Sequence, residues 1–117
     1  MGRLTTHVLD TANGRPGAGV RITLYRNAGE RYLLIGDAVT NQDGRCDSPL
    51  LEGAAFTSGR YRLVFAAGEY FANAGVALPD PPFIDEVVLD FGVADPASHY
   101  HVPLLVSPWS FSTYRGS

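Results

Sequence analysis

Strict alternation of side-chain character, in short runs separated by turn formers, constrains this chain more than any other feature. From Val20 to Arg26, Val20, Ile22 and Leu24 share one parity while Arg21, Thr23 and Tyr25 take the other. From Arg60 to Phe65, Tyr61, Leu63 and Phe65 alternate with Arg60, Arg62 and Val64; from Asp85 to Val93 the apolar parity is Val87, Leu89, Phe91 and Val93. Successive side chains of a pleated strand point to opposite sides, so period two marks strands with one face buried and one in water. A fourth run, Tyr32 to Thr40, is more continuously apolar and stops at the turn signal Asn41-Gln42-Asp43-Gly44. Residues 11–19, with Asn13-Gly14 and Pro16-Gly17, read as a loop. A single segment reads as helical: Glu69 to Ala74 is a turn or two, closed by Gly75 where a helix end favours left-handed backbone. Roughly eight short strands at even spacing, with no internal repeat, are accommodated by two packed sheets. The expected fold is all-β: an eight-stranded antiparallel β-sandwich with one short helix.

A length of 117 residues makes this one domain, residues 1–117, large enough to fold without disulfides or a structural metal. With 45% hydrophobic and 18% charged residues the chain is globular, and no apolar run approaches the ~20 residues of a membrane helix. All nine cationic residues are Arg, against twelve Asp and Glu, for a net charge of -3. That balance argues against nucleic acid and anionic membranes as partners. The N-terminal MGRLTTHVLD lacks the apolar stretch of a secretory leader, TYRGS matches no receptor-read address, and a lone Cys46 suits a reducing compartment. The cytoplasm is the expected location.

Two segments depart from the half-buried pattern. In Leu4 to Asp10, Leu4, Thr6 and Val8 oppose Thr5, His7 and Leu9, so neither face is plainly a solvent face. In His99 to Val106 one face is apolar, Tyr100, Val102, Leu104 and Val106, yet the other carries His99, His101, Pro103 and Leu105. Pro103 cannot donate to a ladder, which favours an edge or a bulge, and an outer face of this kind calls for a subunit or a ligand to cover it. The functional site is expected there.

The chemistry-bearing residues converge on that face. His99 and His101 point to one side of their strand, and His7 is a third candidate for the same surface. Strand histidines are as often satisfied hydrogen-bond partners as functional groups. A His-x-His pair completed by His7 is one route to a three-imidazole zinc site, but no carboxylate is evident to orient it, and no metal or cofactor is expected. Arg45, just after the Asp43-Gly44 turn, could hold a carbonyl or carboxylate with both arms of its guanidinium. Cys46 reads as an inert thiol despite that neighbour. The segment Ser107 to Ser117 alternates large and small side chains to its end, which is unusual for a frayed terminus.

Leu4-Thr5-Thr6-His7-Val8-Leu9-Asp10 with Gly14-Arg15-Pro16, Thr40-Asn41 through Asp43-Gly44-Arg45, His99-Tyr100-His101-Val102-Pro103-Leu104-Leu105, and the terminal Tyr114-Arg115-Gly116-Ser117 together resemble the 5-hydroxyisourate hydrolases, transthyretin-related enzymes of purine catabolism. The resemblance runs from about residue 3 to 117. Its specific element is the terminal tetrapeptide, which separates these hydrolases from hormone-carrying transthyretins of the same fold. It implies a prealbumin-like sandwich that pairs into dimers and then a homotetramer, with active sites at the dimer–dimer interface. The reaction implied is cofactor-free hydrolysis of the ring amide of 5-hydroxyisourate to 2-oxo-4-hydroxy-4-carboxy-5-ureidoimidazoline, in urate breakdown. Carried over position by position, His7, Arg45, His101 and Ser117 are the catalytic candidates, and His7, Arg45, Tyr114 and Arg115 the substrate-binding ones. Either His7 or His101 could be the base that draws a proton from water. Ser117 offers a hydroxyl and an α-carboxylate, but no Asp-His pair is evident to make it a nucleophile. The competing expectation is a non-enzymatic carrier of a small aromatic ligand.

Overall fold

The period-two runs become one sheet of the sandwich. The computed structural model describes residues 2–117. In chain order it forms strands β1 (Arg3–Thr5), β2 (Val8–Asp10), β3 (Arg15–Pro16), β4 (Arg21–Asn27), β5 (Tyr32–Val39), β6 (Leu51–Glu52) and β7 (Gly59–Phe65), helix α1 (Ala67–Asn73), and strands β8 (Val87–Val93), β9 (Tyr100–His101), β10 (Leu104–Val106) and β11 (Phe111–Ser112). Strands β5, β4, β7 and β8 lie side by side in that order, all antiparallel. Their inward parities are those expected: Val20, Ile22, Leu24, Tyr61, Leu63, Phe65, Val87, Leu89 and Val93 are buried, and Phe91 is half-buried, stacked on Tyr61.

The second layer consists of two short sheets that continue one another, β6-β1-β9 and β11-β10-β2-β3. The interruptions fall at Thr6–His7 and Val102–Pro103, where the backbone still links across: Val102 N–H donates to the Thr5 carbonyl at 2.9 Å and Leu104 N–H to that of His7 at 2.8 Å. The prealbumin-like sandwich is thus present, with eight strands when β1 with β2 and β9 with β10 each count as one and the two-residue β3 is left out. Within it β1 pairs with β9, and β2 with β10, in parallel. Local alternation cannot reveal that direction, because it fixes faces and not partners.

Pro103 lies at the break between β9, the end strand of its three-stranded sheet, and β10, an inner strand of its four-stranded one. The ladder loses its missing N–H there, and its carbonyl accepts from Thr113 Oγ1 at 2.6 Å. The Tyr32 to Thr40 run forms the edge strand β5, where Leu34 and Val39 remain 60% and 57% exposed. Its register shifts between Leu24 and Tyr25, a bulge that turns side chains away from the core. Helix α1 begins two residues before the expected Glu69. Gly68 in its first turn lies against the backbone of Ile84 and Asp85 too closely for an easy side chain, and donates to the Asp85 carbonyl at 2.7 Å. Gly75 follows the helix with φ 83°, as its position suggested.

A buried carboxylate ties α1 to the other layer. Asp10, 1% exposed at the end of β2, accepts from Tyr70 Oη and Asn13 Nδ2, each at 2.7 Å, and from the Asn13 and Ala12 amides at 2.9 and 3.1 Å. No helix among the described residues is long and apolar enough to cross a membrane.

Candidate active site

The site is assembled on the outer face of the β1–β9 pair. Because β1 and β9 run parallel with Thr5 opposite His101, residues of one parity, Thr5, His99 and His101, meet on that face, while Leu4 and Tyr100 turn inward. The Thr5 hydroxyl oxygen lies 2.8 Å from His99 Nε2 and 2.8 Å from His101 Nδ1. Both contacts occupy the ring edges turned toward β1, leaving Nε2 as the unpartnered nitrogen of His101.

Arg45 reaches this face through its turn. Asn41 Oδ1 accepts from the amides of Asp43 at 2.9 Å and Arg45 at 3.2 Å, and Gly44, with φ 74°, donates to the Asn41 carbonyl at 2.9 Å. A Cβ on Gly44 would come within 2.4 Å of the Val8 carbonyl, so only glycine lets this turn approach β2. Docked there, Arg45 forms an isolated antiparallel bridge with His7. His7 Nε2–H donates to the Asp43 carbonyl at 2.9 Å, and since a carbonyl can only accept, Nδ1 is the basic nitrogen of neutral His7.

The terminal segment closes the other side. Gly116 and His101 exchange backbone bonds, Gly116 N–H to the His101 carbonyl at 2.7 Å and His101 N–H to the Gly116 carbonyl at 3.1 Å. A Cβ at 116 would press on the His101 ring at 3.3 Å from Cδ2, so this glycine lets the strand lie flat against the imidazole. Ser117 is thereby delivered to the site. A pocket of about 360 Å³ results, lined by Arg3, Thr5, Arg45, His99, His101 and Ser117 among others, a volume that suits a small heterocycle.

Arg45, His101 and Ser117 therefore share one pocket, and His7 stands beside it, coupled to Arg45 through the backbone. Tyr114 and Arg115 do not join them in the single chain. They line a separate depression against β8, where the Arg115 guanidinium stacks over the Tyr100 ring at 4.3 Å and Nη2 donates to the His99 carbonyl at 3.3 Å. Thr5 and Arg3 are pocket residues that sequence reasoning did not single out, and His99, weighed there only within a three-imidazole metal site, lines the same pocket. Thr5 shares its parity with His7, but only the parallel register shows that it meets His101.

The electrostatics favour neutral imidazoles. Burial, then the nearby Arg45 charge, lowers the pKa of His7, against a smaller opposing effect of its bond to Asp43. Burial, Arg45, His7 and His99 lower that of His101. At neutral pH both rings can therefore accept a proton. Cys46 behaves oppositely: burial and Asp47 push the thiol up, so it stays protonated beside Arg45. Among the described residues, no group of three or more His, Cys, Asp or Glu side chains is placed to hold a metal ion. The ring edges of His7, His99 and His101 that face protein are engaged by Asp43 and Thr5.

Comparison with known proteins follows the same outline. The chain is 60% identical over 117 residues to the 5-hydroxyisourate hydrolase of Pseudomonas aeruginosa, covering 100% of this chain and 93% of that one. Among solved structures it superposes on (S)-allantoin synthase with TM-score 0.94 and 54% identity, over 99% of this chain but 44% of that longer one. It also superposes on the sea bream transthyretin crystallised with thyroxine, with TM-score 0.85 and 28% identity, over 97% of this chain and 94% of that one. The HIUase/Transthyretin family model matches residues 4–116, and the chain belongs to that family.

Proposed function

We propose that this chain is a single-domain hydrolase that opens the ring amide of 5-hydroxyisourate to give 2-oxo-4-hydroxy-4-carboxy-5-ureidoimidazoline, a step of urate breakdown. The observation that carries the reading is the convergence of an arginine, a histidine of lowered pKa and the terminal Ser117 in one pocket. His101 Nε2 takes a proton from water as its oxygen attacks the acyl carbon. The ring C–N bond then breaks and the departing nitrogen takes up a proton. Arg45 holds the oxygens of the substrate and the oxyanion that develops at the attacked carbonyl. His7, fixed by Asp43 and adjacent to Arg45, orients substrate or returns the proton. Ser117 contributes its hydroxyl and carboxylate as contacts to the bound ring. Tyr114 and Arg115 contact substrate across the subunit interface, and within one chain Arg115 also pins the segment that carries Ser117 to Tyr100 and His99.

We further propose a homotetramer, a dimer of dimers with the sites at the dimer–dimer interface. This covers the outer face bearing His101, Pro103 and Leu105, of which His101 and Leu105 are only half-buried in the single chain. The cytoplasm is the proposed compartment, with Cys46 a free thiol. Mixing purified protein with freshly generated 5-hydroxyisourate and following its ultraviolet decay tests the activity. Decay far faster than the spontaneous reaction is expected. A decay unchanged by the protein, with binding of an aromatic ligand in its place, would favour a carrier.

A further inference from the structure

The Thr5 hydroxyl lies within hydrogen-bond distance of both histidines of the His-x-His pair, and its chemistry couples them. A hydroxyl has a single proton to donate, while its oxygen can also accept. With His99 Nε2 and His101 Nδ1 both at 2.8 Å, at most one ring can receive the Thr5 proton, and the other must donate an N–H to the Thr5 oxygen. When the Thr5 proton goes to one of the two rings, two arrangements of neutral rings satisfy this. In one, Thr5 donates to His99 and accepts from His101, so both rings carry their proton on Nδ1. In the other, Thr5 donates to His101 and accepts from His99, so both carry it on Nε2.

The pocket distinguishes them. Nδ1 of His101 is taken by Thr5, which leaves Nε2 to meet the space shared with Arg45. A guanidinium there attracts a lone pair and repels an N–H. The other charged or titratable groups facing His101 are His7 beside Arg45, His99, and Arg3, Cys46, Asp47 and Ser117 in the pocket wall. Asp47 and the Ser117 carboxylate offset Arg3 and Arg45 in formal charge, but among these groups Arg45 is the one whose charge acts on His101. We propose that Thr5 is a positioning residue which, by giving its proton to His99 and accepting one from His101, holds His101 in the Nδ1–H tautomer with the Nε2 lone pair turned to the attacking water. His99 acts through Thr5 as the acceptor that keeps the hydroxyl from turning toward His101. The catalytic part of this assignment rests on the hydrolase reading above, whereas the tautomer does not.

The test uses the intact protein labelled with 15N in its histidine rings, at a pH where the imidazoles are neutral. In the wild type, His101 should show a pyrrole-type Nδ1 and a pyridine-type Nε2, with or without any substrate. Thr5→Val keeps a β-branched residue suited to β1 but removes the hydroxyl, and should leave His101 with mixed or reversed tautomers; Thr5→Ser should restore the wild-type pattern. In kcat, Thr5→Val should lose about tenfold to a hundredfold, short of the whole ~10²–10⁴ attributable to a general base, because part of the population keeps the productive tautomer. Thr5→Ser should recover most of that loss, with KM little changed in either variant. A wild-type His101 protonated on Nε2, or a Thr5→Val protein with normal melting and an unaltered tautomer, overturns the proposal. Inactivity of the wild type on 5-hydroxyisourate, with the tautomers as described, would instead fault the hydrolase reading alone.

Discussion

Replacing Tyr70 with Phe isolates the tie between helix α1 and the site-bearing layer. The substitution removes one oxygen and leaves the ring that packs with Phe71. What is lost is a 2.7 Å hydrogen bond to a carboxylate whose residue is 1% exposed. Bonds to charged groups contribute about 1.5–3 kcal/mol, and because Asn13 and the Ala12 amide still hold Asp10, the expected cost is at the lower end, about 1.5 kcal/mol. For a domain of this size that is a fall in Tm of about 6 °C. Asp10→Asn should cost more, since an amide NH2 would then face donors and one accepting oxygen would be lost. The pH dependence has a definite sign. Burial alone would raise the pKa of Asp10, but the bonds from Asn13, Tyr70 and the Ala12 amide outweigh it and hold the carboxyl below its usual value. Its stabilisation is present above about pH 3.9, the unfolded value, and is lost as pH falls through the lower folded value. Urea unfolding at one fixed protein concentration should therefore separate wild type from Tyr70→Phe at neutral pH and bring them together in strong acid. kcat should be unchanged, because neither Tyr70 nor Asp10 lines the pocket. A loss below about 0.3 kcal/mol, or a large fall in kcat with normal folding, would refute the reasoning.

Three other outcomes follow from the site. Because burial and Arg45 depress His7 and His101, kcat/KM should be level near neutrality and fall only below about pH 6.5; Arg45→Met should move that acid limb upward as well as slow the reaction, and a wild-type limb above 6.5 would contradict the electrostatics. Deleting residues 114–117 removes the Gly116–His101 backbone pair and Ser117, so hydrolysis should fall about a hundredfold or more while melting changes by only a few degrees; normal kcat/KM would reduce the segment to decoration. Light scattering should give a homotetramer at micromolar concentration, and a fully active monomer would remove the inter-subunit site.

Much of this architecture was legible in the chain because alternation reports burial directly. Leu4, Thr6 and Val8 are buried, Thr5, His7 and Leu9 half-buried, and the same split separates Tyr100, Val102, Leu104 and Val106 from His99, His101 and Leu105. The outer face was therefore recognisable as one awaiting cover. Less legible was everything that depends on which strand neighbours which. Parallel pairing of β1 with β9 brings Thr5 to His101, and no local pattern encodes it. The apolar run that forms β5 likewise gave no sign of its edge position or exposure, because hydropathy alone does not mark an edge. Arg115 is held away from the pocket of its own chain by a contact equally remote in sequence, its stacking on Tyr100.

The account stands most directly on His101 as the group that activates water. Turnover of 5-hydroxyisourate by wild type and by His101→Asn, measured at neutral pH on proteins of matched melting behaviour and oligomeric state, puts that to a single comparison. The account predicts a kcat lower by about two orders of magnitude or more in the variant, the scale of a lost general base. A His101→Asn protein that turns over substrate at near wild-type kcat would contradict it.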